Sequence, residues 1–290
     1  MGQCRESNAQ LLDTFRNAFA PTLTSNTDAS DDTLRAPRFI DIGCGTGNFT
    51  INYLLPRCSS QCQELLGVDN SPEMLEYARI HHSHENIRYE HLDIVEGDVD
   101  KFVTQHGLFA RVFSFYLMHW ITDRARAMRN IEKLMEPGAE CFIVFENCIP
   151  MFEVLMALAE SPRWKKYAEV LLEKVPRAAR STDITYLRSQ LLGVLEETSL
   201  KPLACEVLSL PVVKIPNLED ATDRTVSFNP IYPLIEDEEK DELIHSTRKI
   251  LAERAQGIAE GRVQNYRLTF VIHAYKPTTK TNISTPPQTK

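Results

Sequence analysis

The sequence predicts an α/β fold with a seven-stranded, mostly parallel sheet and helical lid insertions. Three observations predict it. Short apolar runs alternate with helical stretches from residue 38 to residue 145, a glycine-rich loop follows the first run, and two further β-like runs come late in the chain. At 290 residues the chain is long enough for one large domain with an elaborated lid.

Five apolar runs are expected to form the parallel part of the sheet. They are Arg38–Ile42, Leu65–Asp69, Ile87–Leu92, Phe109–Phe115 and Cys141–Phe145. Helices are expected after Gly47, after Ser71-Pro72-Glu73 and over Arg124–Met135, since Ser caps a helix and Pro suits its first turn. The late runs Ala204–Ile215 and Arg267–Tyr275 are expected to pair antiparallel at one sheet edge.

The remaining segments suggest a division of the chain. Residues 1–35 are expected to form an N-terminal helix, over 10–19, and a linker over the active site. Residues 36–276 are expected to form the main domain, with a helical lid at about residues 150–200, and residues 277–290 a disordered tail. The apolar pattern of the lid suits either a pocket wall or core packing.

Composition excludes several classes of function. A formal net charge of -8 argues against binding to nucleic acid and favours a small-molecule substrate. No apolar run is long enough to span a membrane, and the N-terminus has no signal-peptide core, so a cytoplasmic location is expected. The seven irregularly spaced cysteines predict reduced thiols and no metal site. Oligomeric state does not follow from the sequence.

The loop Asp41-Ile42-Gly43-Cys44-Gly45-Thr46-Gly47 carries the strongest functional signal. It joins an apolar strand to a helix, where backbone amides can cradle a ligand that a Cβ would repel. Asp69, at the end of the second strand, can accept hydrogen bonds from a ribose. The glycine spacing differs from the dinucleotide pattern, and the carboxylate of Asp41 suits a cationic sulfonium better than a pyrophosphate. S-adenosylmethionine is therefore the expected cofactor.

This loop, with the later runs Leu-Gly-Val-Asp-Asn-Ser-Pro-Glu-Met-Leu and His-Leu-Asp-Ile, resembles the first three motifs of class I S-adenosylmethionine-dependent methyltransferases, which are Rossmann-like. The resemblance spans about residues 39–147. It implies roles in cofactor binding for Asp41, Gly43, Gly45, Gly47, Asp69, Asn70, Met74, Asp93, Ile94 and Phe115. The glycines would line the methionine part and Asp69 would bind the ribose. Met74 or Asn70 would flank the adenine, and Asp93 with Ile94 would lie at the edge of its amino group. Alternatively, Asp93 caps a loop and Met74 belongs to a helix core.

A narrower resemblance concerns the segment Phe113-Ser114-Phe115-Tyr116-Leu117-Met118-His119-Trp120. It looks like the corresponding segment of arthropod juvenile hormone acid methyltransferases. That resemblance implies methylation of the carboxylate of a small isoprenoid or fatty acid. Gln10 and Trp120 are the positions that would hold the carboxylate.

The nucleophile is open to a second interpretation. An ionised carboxylate needs no general base, only alignment and exclusion of water. His119 could instead remove a proton from a hydroxyl or amine acceptor, or it could be a packed histidine. A third hypothesis is a protein that binds S-adenosylmethionine or lipid without catalysis.

Overall fold

The computed structural model describes residues 2–20, 37–58, 62–211, 217–263 and 265–278. The strands found in these residues are β1 (Arg38–Ile42), β2 (Glu64–Asp69), β3 (Ile87–His91), β4 (Phe109–Phe115), β5 (Met135–Glu146), β6 (Lys201–Pro211) and β7 (Tyr266–Tyr275). The α-helices found there are α1 (Gly2–Phe15), α2 (Pro72–His81), α3 (Val99–His106), α4 (Arg124–Leu134), α5 (Pro150–Glu160), α6 (Ala168–Leu172), α7 (Ile184–Gly193), α8 (Leu218–Ser227) and α9 (Asp237–Ala259).

The seven strands form one sheet in the order β3-β2-β1-β4-β5-β7-β6. The first five are parallel, whereas β7 runs antiparallel to both β5 and β6. The predicted fold class and the antiparallel pair at one edge are thus confirmed. The strand order reverses between β1 and β4, and a crevice at the carboxyl ends of the strands is expected at such a point. The glycine loop leaves β1 at that position.

Three helical predictions need correction. The helix after Gly47 is irregular, with a π-helical turn at Thr50–Leu54 and a 3₁₀ turn at Leu55–Arg57. The N-terminal helix expected over 10–19 begins at Gly2 and ends at Phe15, and within the expected lid residues 165–172 are divided between a 3₁₀ turn and α6. Helices α3 and α8 were not predicted, since both are short and α8 has two Asp and two Thr residues. Their caps explain where they begin: Asp98 accepts from the Lys101 amide, and Asn217 from the amides that follow it.

Hydrophobic side chains cover both faces of the sheet. On one face α3, α4 and α7 pack in a cluster that includes Phe102, Ile131 and Leu191. On the other face α1 and α2 pack in a cluster that includes Leu11 and Leu75. Helix α1 therefore lies directly against the sheet.

A third cluster lies in the helices after β5. It joins Phe152 of α5 and Leu171 of α6 to Leu243 and Leu251 of α9. Trp164 is also buried in it, and its indole Nε1 donates to Ser246 Oγ at 3.1 Å. Most apolar residues of the expected lid are therefore core, and the helical layer extends beyond residue 200 to include α9.

Some predictions concern residues outside the described ranges, namely most of the linker at 21–35 and the tail from residue 279. Within the described ranges, no helix combines the length and the apolar character needed to cross a membrane. Six of the seven cysteines, those from Cys44 to Cys205, are free thiols. No group of three or more potential metal-binding side chains is found among the same residues.

Candidate functional site

The glycine loop adopts a conformation that depends on its glycines. Gly43, Gly45 and Gly47 all have positive φ angles, of 78°, 55° and 73°. The amides of Gly43 and Cys44 both donate to the Val68 carbonyl, at 2.7 and 3.0 Å, and so hold the loop against the end of β2. A Cβ at Gly45 would meet no atom within 4 Å, so open space lies beside that residue. This side of the loop can accept a ligand.

Asp69 connects the loop to the start of α2. Its Oδ2 accepts from the Gly45 amide at 2.9 Å, and its Oδ1 accepts from the Ser71 amide at 3.0 Å. Ser71 Oγ in turn accepts from the Met74 amide at 3.2 Å, as expected for a helix cap. Each carboxylate oxygen retains a further lone pair. Asp69 thus organises the loop and can still accept from a ribose.

Asn70 and Asp93 meet at the ends of β2 and β3, where the Asn70 amide donates to Asp93 Oδ2 at 3.3 Å. Asp93 Oδ1 accepts from the amides of Val95 and Glu96, so the loop-capping alternative for Asp93 is correct for that oxygen. Ile94 is buried in the core, which leaves only its backbone for ligand contacts. Met74 is exposed, so it does not belong to a helix core.

Asp41 is a buried carboxylate. It accepts from Thr50 Oγ1 at 2.7 Å, and burial raises its pKa to about 7, with Asp69 contributing through its negative charge. A buried carboxylate without a cation is costly to ionise. The site is therefore suited to a positively charged ligand, in agreement with the expectation from the sequence.

His82 has a role that the sequence did not reveal. The three histidines at 81, 82 and 84 suggested no more than a solvated helix end. In the structure His82 Nδ1 lies 2.6 Å from the Thr46 carbonyl oxygen, and Nε2 lies 3.3 Å from Asn48 Nδ2. Since a carbonyl only accepts, Nδ1 donates. The end of α2 therefore holds the glycine loop from its outer side.

The end of β4 brings several aromatic residues to the same edge of the sheet. Phe115 is buried, and its ring centroid lies 4.5 Å from that of Phe49. Tyr116 has a φ of 60°, a conformation that non-glycine residues rarely adopt and that often marks functional sites. Its hydroxyl donates to Glu146 Oε1 at 2.9 Å, and Glu146 pairs with Arg267. This buried network was not apparent from the sequence.

His119 and Trp120 follow on the same segment but differ in exposure. His119 is buried, and within the described residues its Nδ1 has no hydrogen-bond partner. Burial and the nearby charge of Arg124 lower its pKa to about 3. The Trp120 ring is 39% exposed and lies 5.9 Å from both the Phe152 and the Phe228 rings.

Gln10 lies on the exposed side of α1. The residues of α1 that face the sheet are Asn8, Leu11, Leu12 and Phe15, which follow helical spacing. The exposure of Gln10 does not by itself place its side chain beside Trp120, so its role in holding the carboxylate stays a prediction. Asn8, which sequence reasoning overlooked, has the buried position.

Three features fit S-adenosylmethionine. They are the open space beside Gly45, the buried carboxylate of Asp41 with its raised pKa, and the carboxylate of Asp69 at the end of β2. Comparison with known proteins finds a related domain in the same part of the chain. Residues 40–143 match a family model described as a methyltransferase domain.

This part of the chain is therefore similar to methyltransferase domains. The sequence is 37% identical to juvenile hormone acid O-methyltransferase of Bombyx mori, over 46% of this chain and 46% of that protein. It is 31% identical to the Drosophila melanogaster protein of the same name, over 58% of this chain and 53% of that one. The chain thus spans about half the length of the curated relatives it matches.

A solved structure of a SAM-dependent methyltransferase from Anabaena variabilis shares the fold. Its TM-score is 0.51 at 15% identity, covering 92% of this chain and 82% of that one. The family model and the two insect relatives confirm the resemblance to methyltransferases, and the solved structure confirms the fold.

Proposed function

We propose that this chain is an S-adenosylmethionine-dependent methyltransferase that esterifies the carboxylate of a small hydrophobic acid. The position of Trp120 carries the proposal. Its exposed indole lies on the segment that leaves β4, five residues beyond Phe115, and beside helices α5 and α8. An indole N–H at this position can donate to a carboxylate without adding a charge that would reduce its nucleophilicity.

The surroundings of Trp120 favour an apolar acceptor. The rings of Phe152 and Phe228 both lie against it, and Phe228 is 55% exposed although it is a large apolar residue. A cavity of about 680 Å³ begins at Ile121, the next residue, and its walls include Phe145 and Phe270. Charged side chains also line that cavity, among them Arg124, Lys174 and Arg177, so the apolar character of the proposed site rests on the rings beside Trp120.

The low pKa of His119 favours a carboxylate over a neutral nucleophile as the methyl acceptor. A base with a pKa of about 3 has little affinity for the proton of a hydroxyl or an ammonium group. A carboxylic acid is ionised near neutral pH and needs no base. When bound, S-adenosylmethionine supplies an electrophilic methyl group on a sulfonium. The residues of this chain then have to orient the acid and exclude water.

The cofactor roles follow from the placement of the residues. Gly43, Gly45 and Gly47 would approach the methionine part, with Phe115 beyond them on β4. Asp41 would balance its positive charge and Asp69 would bind the ribose. The residues proposed to surround the adenine are Asn70, Met74, Asp93 and the backbone of Ile94. In this proposal α1 covers the cofactor side, and the helices after β5 form the lid over the acceptor.

The proposal can be tested with a panel of acids and isotope-labelled S-adenosylmethionine, with ester products detected by mass spectrometry. Given the two insect relatives, the panel begins with isoprenoid acids of the juvenile hormone type. Trp120→Phe keeps an aromatic ring but removes the N–H donor, and Trp120→Ala removes both. We expect the KM for the acid to rise about 10-fold in Trp120→Phe and further in Trp120→Ala.

Trp164→Phe is the matched control, because Trp164 is the other tryptophan and is buried in the lid cluster. It is expected to leave the KM within about 2-fold of wild type. Binding of S-adenosylmethionine by calorimetry without any ester product would contradict the catalytic proposal. Methylation of hydroxyl or amine acceptors alone would contradict the choice of a carboxylate.

A further inference from the structure

Asn8 is a buried amide without a partner. Its side chain is 1% exposed, and within the described residues neither Oδ1 nor Nδ2 has a hydrogen-bond partner. A buried polar atom left unpaired destabilises the folded protein. Buried side chains with both amide atoms unpaired are rare in folded proteins and require an explanation. A ligand that pairs with both atoms would provide one.

The packing of α1 places Asn8 near the glycine loop. The Phe15 ring lies 5.3 Å from that of Phe142, which is level with Asp41 through the register of β5, β4 and β1. The backbone amide of Ala20, beyond the end of α1, donates to Glu140 Oε1. Glu140 is two residues before Phe142 on β5, and so it lies farther from the glycine loop. Toward its N-terminus α1 therefore approaches the carboxyl ends of the strands.

The distance covered agrees with this direction. Seven residues of helix, from Phe15 back to Asn8, correspond to roughly 10 Å, and three residues of strand cover about the same length. Cys44, within the glycine loop, is three residues beyond Asp41 in the chain. Leu11 and Leu12, the next inward residues of α1, pack in the same cluster as Cys44. Asn8 thus lies at the level of the loop.

The chemistry of the unpaired amide decides between the possible ligands. Nδ2 requires an acceptor, whereas Oδ1 requires a donor. The ionised carboxylate of an acid substrate offers acceptors only and would leave Oδ1 unpaired. The amino-acid end of the cofactor offers both, with an ammonium and a carboxylate on the same carbon. We propose that Asn8 binds this amino-acid end, an inference that rests on the proposed cofactor.

Calorimetry with two ligands tests the inference without any turnover. S-adenosylhomocysteine has the amino-acid end, whereas 5′-methylthioadenosine lacks it. In Asn8→Leu we expect the Kd for S-adenosylhomocysteine to rise about 10-fold and the Kd for 5′-methylthioadenosine to stay within about 2-fold. Asn17→Leu, an exposed asparagine beyond α1, is the matched control and is expected to change neither Kd.

Other outcomes would overturn the inference. They are an unchanged Kd for S-adenosylhomocysteine, an equal loss for both ligands, or a rise only in the KM of the acid. The melting temperature of the ligand-free variant is expected to be equal to or above that of wild type, because leucine removes two unpaired buried atoms. If Asn8→Leu does not fold, Asn8→Ala serves in the same comparison. Wild type that binds S-adenosylhomocysteine but methylates no acid would refute the proposed function and leave the role of Asn8 standing.

Discussion

The hydrogen bond from His82 to the Thr46 carbonyl links the end of α2 to the glycine loop, with Nδ1 and the oxygen 2.6 Å apart. The side-chain amide of Asn48 lies 3.3 Å from the other ring nitrogen, Nε2. In this arrangement Nδ1 donates to the carbonyl, and Nε2 faces the side-chain amide of Asn48. The loop is thus fixed on one side by Asp69 and on the other by His82.

His82→Ala is expected to weaken cofactor binding. Loss of the two hydrogen bonds leaves the loop free to leave its binding conformation, at a cost of about 1 kcal/mol, or roughly a 5-fold rise in Kd. Calorimetry with S-adenosylhomocysteine measures the change. His81→Ala is the control, since the side chain of His81 is exposed and its ring packs against Tyr77 of the same helix. Equal Kd values for the two variants would contradict this role of His82.

Asp41 predicts a pH dependence of stability. Its pKa in the folded protein is about 7, above the usual 3.8, so the folded state holds the proton more tightly than the unfolded state. The stabilisation is complete below about pH 4 and is lost as the pH rises through about 7. Relative to Asp41→Asn, the ligand-free wild type should therefore lose melting temperature from pH 5 to pH 8. A pH-independent difference between the two proteins would refute the assignment.

His119→Ala separates the two kinds of acceptor. With an acid substrate the chemical step should change by less than about 5-fold, whereas a hydroxyl or amine acceptor that used His119 as base should lose about 100-fold or more. For an acid, the pH profile of kcat from pH 6 to pH 9 should also be the same in His119→Ala and wild type, because His119 and the acid both titrate below this range. Single-turnover rates, with melting temperatures as a check on folding, decide the question.

Gly45→Ala and Gly47→Ala are expected to have different effects. Both residues have positive φ, so each alanine costs about 1 kcal/mol of backbone strain. A Cβ at Gly47 would also lie 2.4 Å from the Tyr89 hydroxyl, whereas a Cβ at Gly45 meets only open space. Gly47→Ala should therefore lower the melting temperature more, and Gly45→Ala should mainly weaken S-adenosylhomocysteine binding. Thermal and calorimetric titrations distinguish them.

Local patterns in the sequence were sufficient for the sheet and the loop. The first four strands have nearly the predicted bounds, because an apolar run between turn residues needs only its own side chains to mark a buried strand. The caps of α3 and α8, Asp98 and Asn217, did not identify these helices from the sequence, since Asp and Asn are equally common in loops.

Contacts between residues distant in the chain required the tertiary structure. The sequence by itself determined the α/β class, the glycine loop with Asp41 and Asp69, and the expectation of S-adenosylmethionine. Only the folded chain decided that Gln10 is exposed while Asn8 is buried. It also decided that His82 donates to the Thr46 carbonyl and that burial lowers the pKa of His119. Each of these depends on which face of a helix or strand meets the sheet, and the position of a residue in the chain does not reveal that.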